Sequence, residues 1–170
     1  MAMERPNKNP YSAFNFVVSI NGDTVAAFQE VSGLDSENTP IEYREGGDAL
    51  NSVRKPLNGS KVLVAGIAYK KDVDDMRESP AVHLIEMYQK RGALVVYHDP
   101  FVPRMPKMRQ HHLDMVSVPL TNQALEDSDC VVIATDHSTI DYARVVAKAP
   151  LVVDTRNATK GLESPKIVRC

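Results

Sequence analysis

The hydrophobic pattern of the chain changes near residue 50. Before that point it runs in short β-rich stretches: Phe14-Asn15-Phe16-Val17-Val18-Ser19-Ile20, then Asn21-Gly22, then Thr24 to Gln29. Asn-Gly suits the two positive-φ positions of a tight turn, so these stretches predict a β-hairpin. Ser32-Gly33 breaks the return strand, and Pro40 to Arg44 reads as the start of a third strand before Gly46-Gly47. No helical period runs through this part of the chain.

After residue 50, short apolar runs alternate with amphipathic stretches. Lys61 to Ala65, Leu94 to Tyr97, Cys130 to Ala134 and Leu151 to Val153 read as four strands. Between them, Ser79-Pro80 opens a helix with Ser as N-cap and Pro at the first position. Ala81, Leu84, Ile85 and Tyr88 recur on one face of it, and Gly92 stops it. Thr121 caps a short helix through Leu125, and Thr139 to Lys148 is predicted helical. Strands that are apolar throughout and separated by helices imply a parallel sheet covered on both faces, an α/β fold. The roughly 115 residues from Leu57 onward suffice for one such domain, whereas the first fifty are too few for an independent β domain.

Composition narrows the functional classes. Twenty Lys and Arg against 22 Asp and Glu give a net charge of -2, which does not advertise a nucleic-acid surface. No apolar run approaches the ~20 residues of a membrane span, and Met1-Ala2-Met3-Glu4-Arg5-Pro6 lacks a signal peptide's apolar stretch. Of the two cysteines, Cys130 lies in an apolar run and Cys170 is the last residue, so neither a disulfide framework nor a zinc site is expected. The expected setting is reducing and cytoplasmic, with no membrane and no nucleic-acid partner.

In an open parallel sheet, ligands bind beyond the carboxyl ends of the strands. Those positions hold Gly66-Ile67-Ala68-Tyr69-Lys70, His98-Asp99-Pro100, Thr135-Asp136-His137-Ser138 and Asp154-Thr155-Arg156-Asn157. Lys70 and Arg156 are cations placed to meet an anion such as a nucleotide diphosphate, and Tyr69 offers a ring to a base or sugar. The following loop carries Lys71, Asp72, Asp74, Asp75, Arg77 and Glu78, so it is acidic. Lys70 can serve an anion only if those aspartates pair with Arg77 and Lys71 or face water; a solvated charged loop is the competing reading. Gly66 stands without the further glycines of a dinucleotide fingerprint, so this sheet is not read as the principal NAD site. Cys130 is read as core, His83 as a surface or boundary residue and His137 as a site-lining candidate. His111-His112 has no partner at ligand spacing, so no metal is assigned.

The run from Gly59 through Val64-Ala65-Gly66-Ile67-Ala68-Tyr69-Lys70-Lys71-Asp72-Val73-Asp74-Asp75-Met76-Arg77-Glu78-Ser79-Pro80 resembles the C-terminal, UDP-binding domain of the UDP-glucose/GDP-mannose dehydrogenase family. Tyr97-His98-Asp99-Pro100, Thr135-Asp136-His137 and Val153-Asp154-Thr155-Arg156-Asn157 continue the likeness, over about residues 48–170. The wording is nearest the UDP-N-acetylglucosamine 6-dehydrogenase branch. The resemblance implies a Rossmann-like domain that binds a UDP-sugar, in an oxidoreductase of polysaccharide biosynthesis. Tyr69, Lys70 and Arg156 match substrate-binding positions, and Arg77 matches an arginine that approaches NAD across a domain interface. The family works as an oligomer, which makes a homo-oligomer an expectation here. The family's NAD-binding domain and catalytic cysteine have no counterpart in this sequence. The chain alone is therefore expected to oxidise no UDP-sugar to a uronic acid and to hold NAD weakly.

The first part of the chain is similar to something else. Asn9-Pro10-Tyr11-Ser12-Ala13-Phe14-Asn15-Phe16, Val31-Ser32-Gly33-Leu34 and Glu42-Tyr43-Arg44-Glu45-Gly46-Gly47 resemble the N-terminus of a contractile-phage tail tube protein. That family is a β-barrel assembling into stacked rings, and most of the barrel is missing here. Residues 1–47 are expected to be an incomplete tail-tube segment and 48–170 the dehydrogenase domain, with a structural tube-like protein as the alternative reading of the whole. Phe14, Phe16 and Phe28 would be left uncovered, so the segment is expected to be poorly ordered, to dock on the α/β domain, or to promote association.

Overall fold

The computed structural model describes residues 19–20, 23–24, 49–50, 53, 55–77, 79–107 and 113–169. Ser19–Ile20 (β1) and Asp23–Thr24 (β2) pair antiparallel with Ile20 opposite Asp23, a register that brackets Asn21-Gly22. The other strand expectations before residue 48, the packing of Phe14, Phe16 and Phe28, and the His111-His112 pair lie outside the described residues.

The apolar runs of the second half become Lys61–Ala65 (β3), Leu94–His98 (β4), Cys130–Ile133 (β5) and Val152–Asp154 (β6). A fifth strand, Ile167–Arg169 (β7), joins them in one parallel sheet of order β4-β3-β5-β6-β7. Sequence pattern does not predict β7. It offers only two apolar residues, Ile167-Val168, and is reached from β6 through turns rather than a helix. The register runs straight across the sheet: Ala65 stands beside His98 and Ile133, Ile133 beside Asp154, and Asp154 beside Arg169. All five strands therefore end at one level, and the loops that follow share a rim.

Among the described residues three helices connect the strands of this sheet: Pro80–Lys90 (α1), Asn122–Glu126 (α2) and Tyr142–Lys148 (α3). Ser79 caps α1 by accepting from the Ala81 N–H at 3.3 Å, and its own hydroxyl donates to the Ile67 carbonyl at 2.7 Å. Thr121 caps α2 through the Ala124 N–H. α3 begins three residues later than its sequence predicts, because the Asp141 side chain accepts from the Arg144 N–H and fixes the cap there. Ser79 is buried and both of its bonds are internal. Ser79→Ala is expected to cost about 1–2 kcal/mol, read as a lower urea midpoint with unchanged slope.

The core divides at the sheet. Val62, Val64, Cys130, Val132 and Val153 face α1 and its buried residues Ala81, Val82, Leu84, Ile85 and Tyr88. Leu63, Ala65, Val131, Ile133 and Val152 face Leu125 of α2 and Val145 of α3. Each of the larger of these side chains contributes about 1.5–3 kcal/mol by leaving water. Ala49 and Leu50 are buried in the first cluster, so the α/β core draws in the chain from residue 49. Coverage is incomplete on β4, where Leu94 and Val96 remain 59% and 40% exposed because this edge strand lies beyond the reach of the helices on that face.

Candidate functional site

The loop after β3 begins with Gly66, whose φ of +78° turns the chain sharply at the rim. Its N–H donates to the His98 carbonyl, and the next two N–H groups, of Ile67 and Ala68, donate to one oxygen of Asp99 at 2.7 and 3.0 Å. The other Asp99 oxygen accepts from the N–H groups of Phe101 and Val102 at 2.8 and 3.0 Å. Burial pushes this carboxyl up, but the hydrogen bonds from His137, Ile67, Phe101 and Ala68 outweigh it and bring it to about 2. Asp99 is a buried anion fully engaged in holding two loops.

His137 is wholly buried between that carboxylate and the loop after β3. Its Nε2 lies 3.0 Å from Asp99 Oδ2, and its Nδ1 accepts from the Asp72 N–H at 3.0 Å. A ring nitrogen facing an N–H must be the bare one, so the proton sits on Nε2 and is donated to Asp99. Phe101 packs against the ring, centroids 5.0 Å apart. Sequence reading has His137 as a lining residue; the structure makes it a strut inside the wall.

The acidic loop resolves largely into pairs. Arg77 grips Asp75 through two bonds, Nε to Oδ1 at 3.0 Å and Nη2 to Oδ2 at 2.8 Å, and these hold the Asp75 carboxyl down at about 2. Lys71 pairs across the rim with Asp136 at 3.1 Å. The Asp72 carboxylate accepts from the Ser138 N–H at 2.8 Å and the Ser138 hydroxyl at 2.7 Å, and these bonds lower its pKa. Lys70 is exposed, with Nζ 5.4 Å from the centroid of the half-buried Tyr69 ring, and none of the ion pairs among the described residues uses it. Of the three aspartates, Asp75 turns to Arg77, Asp72 engages Ser138 instead, and Asp74 lies at the surface.

Arg156 sits at the same rim. Its Nε donates to the Ala134 carbonyl at 2.6 Å, just beyond β5, and its N–H donates to Asp154 Oδ1 at 3.0 Å. Asp154, at the end of β6 and buried, also accepts from the N–H groups of Ala158 and Thr159 at 3.1 and 2.7 Å, folding the loop around the arginine. Ala134 in turn donates to Ala65, and the Thr135 hydroxyl donates to the Ala68 carbonyl at 2.7 Å. The loops carrying Lys70 and Arg156 are thus both tied to the segment after β5. Arg77 projects from the same loop as Lys70, with its side chain 89% exposed.

Cys130 and His83, also of reactive type, lie away from the rim loops. Burial pushes the Cys130 thiol up to about 12, so it is no nucleophile at neutral pH. His83 is exposed on α1, 3.9 Å from Glu86. Among the described residues no three His, Cys, Asp or Glu side chains are grouped to hold a metal ion, and no helix is long and apolar enough to cross a membrane.

A parallel sheet with helices on both faces and charged loops gathered at its carboxyl rim defines a Rossmann-like α/β domain. Residues 63–161 match the UDP-glucose/GDP-mannose dehydrogenase family, UDP binding domain, and the chain belongs to that family. Residues 12–62 are similar to the T4-like virus tail tube protein gp19, although Ala49 and Leu50 within that range pack in the α/β core. UDP-glucose 6-dehydrogenase of Rhizobium meliloti (strain 1021) is 31% identical over 153 residues, covering 79% of this chain and 34% of the relative. UDP-N-acetyl-D-mannosamine dehydrogenase of Methanococcus maripaludis (strain C7 / ATCC BAA-1331) is 33% identical over 107 residues, covering 57% of this chain and 22% of the relative. The solved UDP-glucose dehydrogenase of the hyperthermophilic archaeon Pyrobaculum islandicum superposes with a TM-score of 0.59 at 30% identity, over 77% of this chain and 30% of that one. The chain spans only about a fifth to a third of the length of these dehydrogenases.

Proposed function

We propose that residues 48–170 bind the nucleotide part of a UDP-sugar at the carboxyl rim. Lys70 and Arg156 meet the diphosphate, and Tyr69 packs against the base or sugar. The observation that carries this reading is the shared anchorage of the two cation-bearing loops: Arg156 Nε on the Ala134 carbonyl, and the Lys70 loop on Thr135, His137 and Ser138. In this reading Arg77, outermost on that loop and braced by Asp75, faces NAD contributed by the rest of a complete dehydrogenase. The fit is confined to that arginine: a guanidinium held in an exposed position suits a cofactor phosphate, while no glycine fingerprint accompanies it on this sheet. NAD would supply hydride acceptance in the oxidation of the sugar alcohol to the acid, and nothing in this domain performs that step. We place the protein in the cytoplasm, with assembly into a homo-oligomer.

Calorimetric titration of the full chain with UDP tests the proposal. Lys70→Ala and Arg156→Ala are each expected to weaken binding by roughly 1.5–3 kcal/mol while the far-ultraviolet circular dichroism stays unchanged. Two variants that bind like the parent would place the nucleotide elsewhere. A second reading rests on the tail-tube similarity of residues 12–62, in which that segment drives ring assembly. Rings or tubes in negative-stain electron microscopy would support it.

A further inference from the structure

The segment Tyr69-Lys70-Lys71 is held at both ends by a single buried anion. On the near side, Asp99 Oδ2 receives the Ile67 and Ala68 N–H groups directly. On the far side, the same oxygen receives the His137 Nε2 proton, and the opposite nitrogen of that ring receives the Asp72 N–H. Asp72 itself has φ +57°, a left-handed conformation uncommon for any residue with a side chain. Its carboxylate spans to Ser138 with two further bonds, which stabilise that conformation. Strain held in place by surrounding bonds, next to the cation-bearing turn, is the signature of a segment whose position matters.

We propose that His137, Asp72 and Ser138 form a clasp that positions Tyr69 and Lys70 for the nucleotide, with His137 acting as the obligate Nε2–H tautomer. His137 is a positioning residue: it is enclosed and touches the ligand only through the loop it holds. The imidazole is suited to the task because it alone among neutral side chains donates on one edge and accepts on the other across a rigid ring. The inference rests on the proposed nucleotide site and adds to it the device that shapes the site.

The test combines spectroscopy with binding on the full chain. Two-bond nitrogen–proton spectra at pH 8 are expected to show a protonated Nε2 and a bare Nδ1 for His137; an Nδ1–H tautomer would overturn the clasp directly. Asp72→Gly keeps the left-handed backbone without strain and removes both bonds to Ser138, so it is expected to weaken UDP binding about tenfold or more with little change in thermal midpoint. Ser138→Ala, at an exposed position, is expected to act in the same direction by a smaller factor. A parent chain that binds UDP while both variants bind it equally well would refute the positioning role. A parent chain that binds no UDP would refute the nucleotide site itself.

Discussion

Asp99→Ala is expected to unfold the α/β domain or to leave it about 3–5 kcal/mol less stable, the cost of stripping the partner from several buried donors at once. The alanine variant would strand the N–H groups of Ile67, Ala68, Phe101 and Val102 together with the His137 ring proton, all but that of the half-buried Phe101 away from water. Asp99→Asn retains one acceptor oxygen and is expected to lose less. The same carboxylate gives the fold an acid limit. Its folded pKa of about 2 lies below the ordinary 3.8, so its contribution is complete above pH ~4 and is lost as pH falls through about 2. That shift corresponds to about 2 kcal/mol. Urea denaturation of parent and variants between pH 2 and 7 measures both effects; an alanine variant with the parent's midpoint at pH 7 would contradict the account.

The second large effect is expected at Gly66. A Cβ there would stand 2.1 Å from the Thr135 carbonyl oxygen and 2.8 Å from its carbon, at a backbone φ of +78°. Neither partner can retreat. Gly66 is tied to His98, and both Ala134 and Thr135 donate to the Ala65 carbonyl. Gly66→Ala is therefore expected to cost roughly 3 kcal/mol or more, by prising β3 from β5 at the rim. Gly161→Ala serves as the comparison: it has φ +83° but nothing within 4 Å, and a cost of about 1–2 kcal/mol from conformation alone is expected. Equal thermal midpoints for the two variants would show that the close approach is unimportant.

Much of this architecture was legible in the residues, and the parts that were not share a physical reason. Lys61–Ala65 and Cys130–Ile133 announce themselves because central parallel strands must be apolar on both faces. Ser79-Pro80 and Gly92 announce α1 because caps obey local rules. Ile167–Arg169 does not announce itself: an edge strand of three residues carries little pattern, and its place is decided by pairing with β6. The rim positions were equally legible, since strand-end residues follow from the strands. Their division of labour was not. Asp99, Asp154 and His137 all stand at strand ends in the sequence, but hydrogen bonds commit them to backbone N–H groups, Asp154 within its own loop and Asp99 and His137 across to the loop after β3. Lys70 Nζ lies over the Tyr69 ring instead, and Arg156 Nε donates to the Ala134 carbonyl.

The bonds that build the rim join distant stretches of chain: Thr135 to Ala68 across 67 positions, His137 to Asp72 across 65, and Ser138 to Asp72 across 66. Closing spans of that length is entropically uphill until β3 and β5 already lie side by side. Refolding should therefore restore helical signal and sheet first and ligand competence last, so a stopped-flow trace of UDP capture would lag the return of ellipticity.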